Sequence, residues 1–249
     1  MDLGLSGRVA LVTGASKGLG LGIARALAGE GARVAVSSSS RERIETAAGQ
    51  IGARAYVHDN ADLDSAPALV DSVQRDLGPL DVLVANTGGP PTGADPLRFS
   101  REQWDDAYRS LVLAPMALLE HALPGMRERG YGRVLAVSSS AVREPIPVLM
   151  LSNVHRSGLL AAFKTLARQV ARDGVTINSL LPGRIATDRI VANAGSLEEA
   201  ERRAEEQIPA GRLGTVEEFG AVAAFLCSEP AGYVTGTALL VDGGLTQSI

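Results

Sequence analysis

Short runs of Val, Ile, Leu and Ala alternate with longer amphipathic stretches along the whole chain. The short runs fall at 9–13, 34–37, 53–58, 82–86, 134–138, 175–181 and 238–241. They are too short for helices and almost continuously apolar, as strands covered on both faces are. Helical periodicity occupies 20–28, 42–51, 66–77, 101–129, 151–173 and 216–228. Regular strand–helix alternation without a composition break predicts an α/β fold, a single Rossmann-type doubly wound parallel sheet of about seven strands with helices on both faces. Its crossovers should be right-handed, and a ligand should sit beyond the carboxyl ends of the strands, where strand order reverses. Pro115 lies inside a helical pattern and predicts a kink there. Residues 188–210 are the least sheet-like, strongly charged around Glu198 and Glu206, and suit a surface helical excursion placed as a substrate lid.

Strand one runs into Thr13-Gly14-Ala15-Ser16-Lys17-Gly18-Leu19-Gly20, and a helix follows. Strand, glycine turn and helix bring backbone N–H groups and a positive helix end to one place, which suits a pyrophosphate. Gly14 permits the tight turn, Gly18 keeps a side chain off the phosphates, and Gly20 lets helix and strand pack closely. At the end of strand two, a carboxylate would bind the ribose hydroxyls of NAD and repel a 2′-phosphate. Here the stretch is Ser38-Ser39-Ser40-Arg41, with Lys17 as a second cation, so hydroxyl donors and positive charge favour NADP(H), with NAD(H) possible.

Composition narrows the class. The 249 residues carry a net charge of −4 with 45% apolar and 21% charged positions, which excludes disorder and leaves ample core. No clustered basic surface is evident, so nucleic acid is not an expected partner. The single cysteine, Cys227, excludes an intrachain disulfide and a cysteine-based zinc site, no metal is expected, and its apolar neighbours suit a buried small hydrophobe. Neither a leader pattern nor a membrane-length apolar run is present, predicting a cytoplasmic protein that acts on a small molecule. Aromatic residues are only 4% while glycines number 28, so the core must be aliphatic, with backbones packed closely.

The Gly-x-x-x-Gly-x-Gly turn resembles that of the short-chain dehydrogenase/reductase family. So do Asp59 after strand three, Asn86 and Gly88 after strand four, Ser139 after strand five, Asn178, Pro182-Gly183 with Thr187, and Val241-Asp242-Gly243-Gly244. The resemblance covers essentially the whole chain. It implies one domain over 1–249, a homotetramer or homodimer, and a nucleotide lying along Gly14, Ser16, Lys17, Gly18, Leu19, Gly20, Asp59, Asn60, Asn86, Thr87, Gly88, Pro182, Gly183, Ile185 and Thr187. In that family a tyrosine donates the proton that completes hydride transfer to a carbonyl. A lysine one helical turn later lowers its pKa and binds the nicotinamide ribose, a serine polarises the carbonyl, and an asparagine positions a relay water. Tyrosine and lysine meet because i and i+4 share a helix face.

Counting back from Asn178 and Pro182-Gly183 puts the lysine position at Arg156 and the tyrosine position at Ser152, within Ser152-Asn153-Val154-His155-Arg156. No tyrosine occurs between Tyr131 and Tyr233, and the asparagine position falls on Leu111. Ser139 retains the serine position. Arg156 can keep the ribose hydrogen bonds and stabilise an anion, but it does not give up its proton. Ser152 is a shorter and far weaker acid than a phenol, whereas His155 has an ordinary pKa near ~6.5 suited to acid–base work. The candidate catalytic set is therefore Ser139, Ser152, His155 and Arg156. Two functions follow: an oxidoreductase working on a carbonyl, alcohol or activated double bond with a non-standard centre, or a dinucleotide-binding protein without turnover, a sensor or structural subunit. Nucleotide-sugar enzymes on this fold usually carry an extra substrate domain, for which the chain has no room. Arg184, Arg189 and Arg212 are possible anion contacts beside the lid, and Pro90, Pro91, Leu149, Met150 and Leu151 suggest a partly apolar pocket wall.

Overall fold

The computed structural model describes residues 1–248. Seven strands form one parallel sheet in the order β3-β2-β1-β4-β5-β6-β7. They are β1 (Val9–Val12), β2 (Arg33–Ser38), β3 (Arg54–Val57), β4 (Leu80–Ala85), β5 (Gly132–Val137), β6 (Val175–Pro182) and β7 (Ala238–Val241). The helices are α1 (Gly18–Gly29), α2 (Arg41–Ile51), α3 (Ala66–Leu77), α4 (Arg101–Tyr108), α5 (Ala114–Glu128), α6 (Met150–Val170), α7 (Asp188–Ala194), α8 (Leu197–Gln207) and α9 (Val216–Leu226). The predicted Rossmann-type sheet is thus the observed one, and the reversal of strand order falls between β1 and β4.

Side chains alternate along each strand, so every strand feeds two cores. Ala10 and Val12 of β1 join Val34, Val36, Val82 and Val84 beneath Ile23, Leu27, Ile44 and Phe219. Val9 and Leu11 join Ala35, Leu83, Val134 and Ile177 beneath Val70, Val73, Leu118 and Phe163 on the other face. Glycine accounts for the closest helix pair: a β-carbon on Gly220 of α9 would lie 2.6 Å from the Gly22 carbonyl oxygen of α1. Small helix faces of this kind let an aromatic-poor core reach native density.

The stretch 101–129 is helical almost throughout, as its pattern predicts, but its irregularity lies just before the proline. A π-helical turn, Arg109–Leu113, joins α4 to α5, and Pro115 follows it at the second residue of α5, where the widened turn takes up the proline. The expected excursion after β6 is two helices, α7 and α8, with Ala200, Ala204, Ile208 and Leu213 forming a small core of their own. Cys227 is buried, and burial pushes its thiol up to about 12. No described helix is long and apolar enough to cross a membrane, and no described cluster of side chains could hold a metal.

Candidate active site

The carboxyl ends of β1 and β4 are stitched together at the switch point. Thr13 Oγ1 donates to the Asn86 carbonyl at 2.8 Å and accepts from the Asn86 N–H at 3.1 Å. Asn86 Nδ2 donates to the carbonyls of Thr13 and Gly14, and Asn60 Nδ2 donates to the Asn86 carbonyl. Gly14 has φ +58°, and a β-carbon there would lie 2.7 Å from the Asn86 carbonyl oxygen. A β-carbon on Gly20 would meet the Gly14 carbonyl at 2.6 Å and Asn86 Nδ2 at 2.7 Å. Both glycines therefore let the turn, the start of α1 and β4 touch, a role assigned from sequence to Gly20 alone. Gly18, also at positive φ, faces only the Thr187 methyl at 3.7 Å. That open side of the turn, at the start of α1, is a cradle that a side chain would fill and a phosphate fits.

Opposite it runs the segment after β6. Ile185 forms a parallel bridge with Gly214, whose N–H and C=O bond to Arg184 and Ala186, leaving the Ile185 N–H and C=O directed away from that bridge. Gly183 lies so near β7 that a β-carbon would fall 2.5 Å from Asp242 Cβ. Its absent side chain serves sheet closure. Lys17 Nζ meets Asp188 Oδ2 at 3.2 Å, an exposed pair bridging the two walls. Thr87 is partly buried beyond β4, and Gly88 has nothing within 4 Å of where a side chain would begin. Asp59, exposed, turns its carboxylate onto the Ala61 N–H.

The serine-rich end of β2 divides its work. Ser38 Oγ donates to the Ser40 carbonyl, Ser40 caps α2 through the Arg43 N–H, and Ser39 is exposed. Arg41, the first residue of α2, is exposed. One helical turn places it beside Glu45, with Nη1 3.2 Å from Oε1. Arg43, with Ser16, Lys17, Glu42 and Thr46, lines a cavity of about 320 Å³ between the glycine turn and α2. Only the helix direction distinguishes Arg43 from Arg41, so the sequence pattern did not single it out.

At the other end of the cleft, Ser152 and Arg156 share one face of α6, as their spacing requires. Arg156 is 7% exposed; its Nε donates to Ser152 Oγ at 3.2 Å and its Nη1 to the Val137 carbonyl at 2.6 Å. Burial, and secondarily the like charge of Arg189, lower its pKa to about 10. Ser139, at the end of β5, accepts from the Ala141 N–H at 3.2 Å, leaving its own proton free to donate. Ser138 Oγ is buried without a partner. The loop after β4 closes on the segment before α6 through the Gly93 N–H and the Val148 carbonyl, while Leu151 turns into the core instead of the pocket wall.

His155 is not brought to Ser152. Its ring packs edge-on to Trp104 at 5.5 Å and against Tyr108 at 5.9 Å, and its Nε2 is buried without a partner. Burial lowers its pKa. The reason is angular: one position short of Arg156 on a helix turns a side chain about 100° away, here towards α4. Of the three flanking arginines, Arg212 is held by Glu218 at 2.6 Å, whereas Arg189 lies against the backbone of Gly89, where an added side chain would overlap its guanidinium. Leu111, in the π-helical turn, is 1% exposed and offers no side-chain donor or acceptor.

A family profile described as Enoyl-(Acyl carrier protein) reductase matches residues 14–246, which include the glycine turn and both walls of the cleft. Gluconate 5-dehydrogenase of Gluconobacter oxydans is 35% identical, with 97–98% of both chains covered. The chain belongs to the short-chain dehydrogenase/reductase family. Among solved structures, L-sorbose reductase of Gluconobacter frateurii, complexed with NADPH and L-sorbose, superposes with a TM-score of 0.92 at 32% identity over 100% of both chains. YwfH, an NADPH-dependent reductase involved in bacilysin biosynthesis, superposes at 0.91 and 29% identity over 97% of this chain and 99% of the other. The family places this chain among the nicotinamide-dependent oxidoreductases.

Proposed function

We propose that this short-chain dehydrogenase/reductase is an NADP(H)-dependent enzyme that moves a hydride to or from a carbonyl, alcohol or activated double bond, with Ser139, Ser152 and Arg156 as its reacting-end side chains. The observation that carries it is the buried Ser152–Arg156 pair at the end of β5, in the same cleft as an intact glycine turn. A bound nicotinamide would supply or accept the hydride. The glycine turn would hold its pyrophosphate, and Ser16, Lys17 and Arg43 would hold a 2′-phosphate, which fits NADP(H) and the NADPH named with two structural neighbours.

Arg156 has Nη2 left over after its two protein hydrogen bonds, a donor for the nicotinamide ribose and for negative charge developing on the substrate oxygen. Ser139 adds a second donor to that oxygen. Neither replaces a phenol as acid: Arg156 stays protonated near neutral pH, and an alcohol gives up its proton poorly. The proton therefore comes from water, which suits a substrate whose anion is already delocalised, such as an enone or a strongly polarised carbonyl. The 188–210 excursion is the lid over this end, and exposed Tyr108 and Val154 on α4 and α6 support assembly with further copies of the chain.

Titration with NADPH and NADH, followed by absorbance at the nicotinamide band across ketones, aldehydes, quinones and enones, tests the assignment. Arg43→Ala should weaken NADPH by about tenfold and NADH little, and Arg41→Ala should change neither more than about threefold. Ser152→Tyr combined with Arg156→Lys should create or raise reduction of simple ketones. Tight NADPH binding without oxidation across the panel, in wild type and double variant alike, would argue for binding without turnover.

A further inference from the structure

Arg156 is a buried cation without a counter-ion. Among the described residues no carboxylate lies within ion-pair distance of it, and its only protein acceptors are a serine hydroxyl and a backbone carbonyl. Buried arginines are ordinarily paired, because desolvation of the charge is otherwise uncompensated. Instead of an acid, the lid brings a second cation. Arg189 of α7 lies against the Gly89 backbone at the mouth of the cleft and forms no ion pair among the described residues. Arg156 bonds to the end of β5, and Arg189 lies against the loop after the neighbouring β4. The two guanidiniums thus stand at the ends of adjacent strands, where the like charge of Arg189 disfavours that of Arg156. Two cations converging with no acid between them create a positive field inside a partly water-excluded space, and such a space concentrates anions.

The pyrophosphate of a dinucleotide does not reach the Arg156 end of this field. Arg156 bonds to the end of β5, and the glycine turn follows β1, two strands away across β4. At the usual strand spacing that is about 10 Å. The nicotinamide ribose, which does reach this end in the hydride-transfer assignment, is uncharged.

We propose that the substrate of this enzyme is an anion, a carboxylate-bearing oxo or enone compound, whose carboxylate is held between Arg156 and Arg189. This deepens the hydride-transfer assignment and rests on it. With an acidic substrate the free Arg156 Nη2 faces its carboxylate and Ser139 donates to the reacting oxygen, while Arg189 covers the acid from the lid, so substrate charge and lid closure are coupled. Glycine at position 89 is then required for Arg189 to lie inward.

The test uses the full chain saturated with NADP⁺, and four probes: levulinate and trans-4-oxo-2-pentenoate, each beside its methyl ester. Calorimetric titration should show each carboxylate binding at least about tenfold more tightly than its ester, as expected for a charge-assisted contact. The ratio should fall to below about threefold in Arg189→Gln and in Gly89→Ala, whose far-UV spectra report folding. Equal affinity of acid and ester, an unchanged ratio in both variants, or no saturable binding of either acid up to about 20 mM overturns the proposal. Turnover is read separately from NADPH oxidation with the same probes. Preferential acid binding with no oxidation of any probe or of the wider carbonyl and enone panel refutes hydride transfer and leaves the anion site standing. Oxidation by acids and esters alike, with equal affinity, does the reverse.

Discussion

Replacing Arg156 by Met should leave the free protein almost as stable as it is, although a buried, hydrogen-bonded arginine is removed. Two contributions oppose each other. The guanidinium pKa falls from 12.5 to about 10 in the folded state, a cost of about 3 kcal/mol for keeping the charge buried. Because the folded pKa is the lower one, that cost is present in full at every pH below about 10, including pH 7.5, and fades only above it. Against it stand the bond to the Val137 carbonyl, charge-assisted and worth about 2 kcal/mol, and the bond to Ser152, worth about 1 kcal/mol. The net change is about zero, whereas truncating one partner of a buried ion pair typically costs about 3–5 kcal/mol. Urea denaturation at pH 7.5 with an unchanged m-value measures the difference. A loss of about 3 kcal/mol or more would show that Arg156 has a counter-charge in the folded protein and would refute the reasoning. In the same variant, levulinate should raise the urea midpoint less than it raises that of the wild type.

Two further outcomes are expected. Gly14→Ala combines a left-handed backbone with a β-carbon 2.7 Å from a carbonyl oxygen that cannot yield, and should cost about 3 kcal/mol in thermal or urea unfolding and abolish tight NADPH binding; wild-type stability would mean that the turn is looser than described. His58 and His155 both have pKa values lowered by burial, so the unfolded chain binds protons more readily, and stability should fall as pH drops through about 6.5. His155→Leu should flatten part of that slope in unfolding curves between pH 5 and 8, and an unchanged slope would remove His155 from the buried, neutral state assigned to it.

Strand and helix periods determined the fold by themselves. Seven aliphatic runs separated by amphipathic stretches allow one doubly wound parallel sheet, and the glycine turn after the first run marks its phosphate end. Local rules of that kind depend on neighbours along the chain, so they are legible in one dimension. The Ser152–Arg156 contact was legible for the same reason, since residues four apart share a helix face. What depended on direction in space was not. Arg41 and Arg43 are equivalent as letters, but α2 turns one to Glu45 and the other to the cavity beside Lys17. His155 reads as an acid–base group three residues from Ser152, yet the helix aims it at Trp104 and Tyr108. The π-helical turn before Pro115 has no sequence signature distinct from a proline kink. Above all, the missing counter-ion of Arg156 is a property of everything packed around it. A sequence shows that an arginine is present, and only the tertiary structure shows that no acid comes to meet it.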